Sequence, residues 1–81
     1  MPKKTPPPRP ATLGARVRES RKNKGLTQVE LSAMLGVTQG KLSELEVGRR
    51  LAESPPLETV RRLARALGVS TDYLLGMSDQ P

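Results

Sequence analysis

Stop and start signals cut this chain into short pieces, and they limit its fold more than any other feature. Gly25, Gly36, Gly48, Gly68 and Gly76 each follow a stretch with helical spacing, where the residue just past a helix end takes a left-handed conformation. Thr12, Thr27, Thr38 and Ser54 open four of the stretches and Ser70 opens the short fifth, each able to accept from an orphan backbone N–H. Thr27-Gln28-Val29-Glu30 is a capping box. Ser54-Pro55 places a cap and then proline at the first helical position. These signals predict helices over 12–24, 28–35, 39–47, 55–67 and 71–75. No segment alternates with period two for long enough to form a strand. Helices this short bury apolar surface only by packing on one another.

The apolar residues are spaced for that packing. Leu13 and Val17 are four apart, as are Leu31 and Leu35, while Leu42 and Leu45 are three apart. Val60, Leu63, Ala64 and Leu67 form a full i, i+3, i+4, i+7 stripe. Leu26, Val37 and Val69 lie in or just after the turns and are expected to plug the ends of the core. Tyr73 is the only aromatic residue, so the core must be built from Leu, Val, Ala and Met. The expectation is an all-α domain over residues 12–76, with an arm at 1–11 and a short tail at 77–81.

Composition narrows the chemistry. Among 81 residues there is no Cys and no His. That removes thiol nucleophiles, zinc-thiolate sites and the usual general base. No catalytic constellation and no cofactor or metal site is expected. No apolar run approaches the ~20 residues of a membrane span. The basic N-terminus runs into prolines and not into an apolar segment, so no secretory signal is read and a cytoplasmic location is expected. Fourteen Lys and Arg face eight Asp and Glu, for a net charge of +6. The imbalance is local. Residues 1–25 hold eight bases and one acid, whereas 26–81 hold six bases and seven acids. Pro2, Pro6, Pro7, Pro8 and Pro10 make the first ten residues an extended basic arm. Such an arm is either a solvated tail or a tracker of a polyanion.

The turn Gly36-Val37-Thr38 is too short for two helices to lie flat side by side. A turn of three or four residues containing glycine holds two helices at a steep angle. Residues 28–47 then form a helix-turn-helix, with Leu31 and Leu35 inward, Leu42 and Leu45 seating the second helix, and Gln39, Gly40, Lys41, Ser43 and Glu44 outward. Arg21 continues the Leu13–Val17 stripe and Glu46 continues the Leu42–Leu45 stripe, so each puts a charge on an inward face. A buried charge without a partner costs several kcal/mol.

Residues 26–50, LTQVELSAMLGVTQGKLSELEVGRR, resemble the Cro/C1-type helix-turn-helix family of phage repressors and their bacterial relatives. Residues 13–25 are similar to that family's first helix, and 55–76 to its fourth and fifth. The resemblance implies a compact five-helix, lambda-repressor-like DNA-binding domain. It also implies a transcriptional regulator of double-stranded DNA, most simply a repressor. An antitoxin or protein-interaction adaptor is the alternative use of the fold.

The resemblance gives roles to particular residues. Gln39 opens the recognition helix, where glutamine bonds bidentately to adenine N6 and N7. Gly40, Lys41 and Glu44 take the other base-facing positions, with a Lys41–Glu44 pair as the plain alternative. Gln28 opens the preceding helix and is expected on a phosphate. Thr27, Thr38, Ser43, Arg49 and Arg50 are further candidates for phosphate contacts. The family's matching Arg and Glu form an ion pair between helices 1 and 3, so Arg21 and Glu46 are expected to pair as a structural bridge. Ser32 stands where alanine is usual, and it can bond back to its own helix. Gly40 stands where a longer polar residue is common. It removes one reader, costs about 1 kcal/mol of helix propensity and permits a closer backbone approach. The loop 49–54 is slightly longer than the family's. Arg61, Arg62 and Arg65 read as a solvated helix face. Tyr73, Leu74, Leu75 and Met77 either close the core or form a patch for a homodimer, which a palindromic operator calls for. Dimerisation through this fifth-helix region is the favoured expectation.

Overall fold

The computed structural model describes residues 12–48 and 56–81, and these contain five α-helices and no strand. They are α1 (Leu13–Asn23), α2 (Gln28–Leu35), α3 (Gln39–Val47), α4 (Leu57–Leu67) and α5 (Thr71–Leu74). The arm at 1–11, Arg49, Arg50 and the Ser54 cap lie outside the described residues.

Four predicted caps form. The Thr12, Thr27, Thr38 and Ser70 side chains accept from the backbone N–H of Ala15, Glu30, Lys41 and Tyr73. Thr27 and Glu30 complete the capping box reciprocally, the Glu30 carboxylate accepting from the Thr27 N–H at 2.9 Å. That bond, followed by the Thr27 hydroxyl, holds the Glu30 carboxyl below the ordinary carboxylate range. Helix α4 departs from expectation. It begins at Leu57 and not at Pro55, with extended Pro56 as its N-cap residue and no side-chain cap. Pro55, where the sequence placed the first helical position, lies outside the described residues.

The core gathers one face from every helix: Val17 of α1, Leu31 and Leu35 of α2, Leu42 of α3, Val60, Leu63, Ala64 and Leu67 of α4, and Tyr73 and Leu74 of α5. Leu13, Leu26, Leu45 and Val69 pack around it, partly buried. Val37 does not plug the turn as expected, and remains 36 % exposed. Its N–H closes α2 by donating to the Ser32 carbonyl at 3.0 Å, while Gly36 takes the left-handed conformation at φ 70°. The helix position that usually covers the residue after such a glycine holds Ser32. The Ser32 hydroxyl bonds back to the Val29 carbonyl at 2.9 Å, as expected.

Tyr73 and Leu74 are buried at 8 % and 0 % exposure. They close the core and are not surface for a second copy, which corrects the expectation of a dimer patch at those two residues. The physical reason is the size of α5. Its single turn has too few residues to present separate core and partner faces. Leu75 and Met77, just beyond it, are exposed.

One contact fixes where α3 sits. Gly14 is buried on α1, and a Cβ built there would lie 2.0 Å from the Leu45 carbonyl oxygen and 2.9 Å from that of Glu46. The backbones of α1 and α3 therefore meet at a spacing only glycine allows.

Candidate nucleic-acid interface

The N-termini of α2 and α3 lie side by side, joined through their first side chains. Gln39 Nε2 donates to Gln28 Oε1 at 3.5 Å. Gln28 Nε2 donates in turn to Glu46 Oε1 at 3.2 Å. Two helix N-termini at one place concentrate unpaired N–H groups and positive dipole ends, which suits phosphate.

Beneath this pair lies the ion pair. Arg21 Nε donates to Glu46 Oε2 at 2.8 Å and Nη2 to Oε1 at 3.1 Å, a two-point bond between planar groups. Arg21 Nη1 donates to the Leu26 carbonyl at 2.8 Å. Arg21 and Glu46 are 8 % and 6 % exposed. Among the described residues, no buried side-chain polar atom lacks a partner. The bridge thus joins α1 to α3, and its carboxylate also takes a bond from α2.

The other candidates divide by exposure. Gln39, Gly40 and Lys41 are exposed on the first turn of α3, and Gln28, Ser43 and Glu44 are half-buried. Thr27 and Thr38 are exposed, and each hydroxyl oxygen is occupied as a cap, at 3.1 Å to Glu30 N and 3.2 Å to Lys41 N. A hydroxyl that accepts in this way still has its proton to donate. Arg61 and Arg62 lie on an exposed face of α4, within 3.6 and 3.9 Å of Glu58.

Two features escaped sequence reasoning. The Gln28–Glu46 bond spans eighteen residues, and no local pattern signals it. Gly14 had a signal, a glycine inside a helix, which usually marks close packing. Among the described residues, no helix is long and apolar enough to cross a membrane, and no cluster of three or more acids could hold a metal ion.

The helix-turn-helix family model matches residues 17–74, from the second turn of α1 to the end of α5. Over 68 residues the chain is 43 % identical to the HTH-type transcriptional regulator y4dJ of Sinorhizobium fredii, covering 84 % of each chain. It is 37 % identical over 63 residues to the prophage-derived HTH-type regulator YonR of Bacillus subtilis, covering 78 % of this chain but 56 % of that one. The P22 c2 repressor, solved with a synthetic operator, superposes with a TM-score of 0.71 at 33 % identity, over 85 % of this chain and all of that one. The chain spans from as little as 43 % to as much as 84 % of the length of curated relatives it matches, and about half of several of them. With the helix-turn-helix at its centre and the flanking helices in register, this chain belongs to the helix-turn-helix family of transcriptional regulators.

Proposed function

We propose that the chain is a sequence-specific, double-stranded DNA-binding transcriptional repressor that acts by occupying an operator and catalyses nothing. The observation that carries this is the Gln39–Gln28–Glu46–Arg21 chain of bonds. It leads from an exposed amide at the tip of α3, through a long 3.5 Å contact with Gln28, to a buried ion pair, and so favours one orientation of the amide toward a base edge. Gln39 would read adenine, with Lys41 and Glu44 at neighbouring edges and Gly40 between them. Gln28, Thr27, Thr38 and Ser43 would take phosphates, as would Arg49 and Arg50, and these contacts set the register of the helix in the groove. Residues 12–76 would form the binding domain. The basic residues of 1–11 would add attraction that is indifferent to sequence.

A single recognition helix reads only a few base pairs, so two copies on a palindrome are the natural working form. With Tyr73 and Leu74 committed to the core, Leu75 and Met77 supply the apolar surface near α5 for the second copy. Selection of the full chain on random duplexes tests the reading. A palindromic motif with half-sites about 34 Å apart is expected. Enrichment of no sequence would reject DNA reading in favour of protein docking on the same face.

A further inference from the structure

Six of the seven glycines have a reason inside the molecule. Five take positive φ at helix ends, and Gly14 faces backbone oxygens where a Cβ would clash. Gly40 has neither reason. It is the second residue of α3, its φ is not positive, and a Cβ built on it would meet nothing within 4 Å. The chain therefore holds the weakest helix former other than proline on the first turn of a nine-residue helix, where the fold leaves room for a Cβ. Nothing inside the fold asks for glycine at this position. Gly40 is exposed and stands between Gln39 and Lys41, on the turn whose Gln39 amide contacts Gln28 at 3.5 Å. This inference rests on the DNA-reading function and deepens it.

We propose that Gly40 is a specificity-determining residue whose missing side chain lets the backbone of α3 approach the edge of a base pair in the major groove. Gln39 can then reach its base at full depth, and larger residues at 40 would hold the helix away. On the proposed function the hydroxyls of Thr27 and Thr38 and the amide of Gln28 take the phosphates, so the approach is to a base edge and not to the sugar-phosphate backbone.

The full chain and Gly40→Ala are compared in thermal unfolding, and in titration with both the duplex selected by the parent and a random duplex. Gly40→Ala is expected to raise Tm or leave it unchanged, because it relieves only helix propensity and that at the first turn. It is expected to weaken binding to the selected duplex by about tenfold or more, as steric misfit does, and to leave random-duplex binding within about twofold. A rise in Tm with unchanged affinity for the selected duplex would overturn the inference and leave the DNA-reading function intact. An equal loss on both duplexes would place the close approach at the phosphates and also overturn it. A fall in Tm would show that the fold itself requires the glycine and would overturn the inference. A parent chain that selects no duplex would reject the underlying function and this inference with it.

Discussion

Glu46 serves two partners with one carboxylate, and the variants that separate them are the most informative at the residue scale. Removing Arg21 leaves a charge that is 6 % exposed with one neutral donor, Gln28. Arg21→Met should therefore cost about 3–5 kcal/mol in chemical denaturation. Arg21→Met combined with Glu46→Met should recover most of that loss, because an apolar pair replaces a buried charged one. DNA affinity should stay low in the double variant, since Gln28 has lost its anchor. Full recovery of both would reduce the bridge to a structural role. Gln39→Ala should cost about 1–3 kcal/mol on the selected operator and relax one base position. A uniform loss across sequences would argue against reading. Glu30 makes a pH prediction. Its carboxyl is held below the usual value of 4.5 by the Thr27 N–H. A depressed folded-state value contributes stability above the ordinary carboxylate range, and that contribution is lost as pH falls through the depressed value. The protection factor of the Thr27 amide should therefore fall on acidification below about pH 4.5, ahead of those in α4, and Glu30→Gln should flatten the difference.

At the scale of elements, α1 works as a seat for α3. Gly14→Ala places a methyl against the Leu45 and Glu46 carbonyls, and these belong to backbone that cannot rotate aside. The variant should lose about 1–3 kcal/mol of stability by overpacking. It should also bind its operator more weakly than that loss alone explains, because α3 must shift. Unchanged Tm would mean that the two helices can separate without cost. The helices themselves were legible from short-range signals, because a cap or a left-handed glycine acts on its own turn. The start of α4 misled for the same reason in reverse. Ser54-Pro55 is a good local opening, but Pro56 is extended and serves as the N-cap residue, so the helix begins at Leu57. Val37 misled because an apolar residue beside a turn finds cover only where the facing helix position is apolar, and here it is Ser32.

For the whole molecule, charge and reading are separated along the chain. Residues 1–25 carry the basic excess and 26–81 are close to neutral, so neutralising phosphates should fall mainly to the arm and α1. Log K for a random duplex should drop with log salt by about 0.9 per phosphate contact. Deleting residues 2–9 should lower that slope and leave the preferred sequence unchanged. A changed preference would mean that the arm also reads bases. The sequence by itself determined the helices, the apolar stripes and the inward charges Arg21 and Glu46. Each of these follows from neighbours within about two turns, the range over which capping and helical periodicity act. Only the tertiary structure decided that Tyr73 and Leu74 belong to the core, that Gly14 sets the spacing of α1 and α3, and that Glu46 holds Gln28 and through it Gln39. Those depend on which backbones meet and at what distance. Residues far apart in the chain come together by packing, and packing leaves no mark in local order.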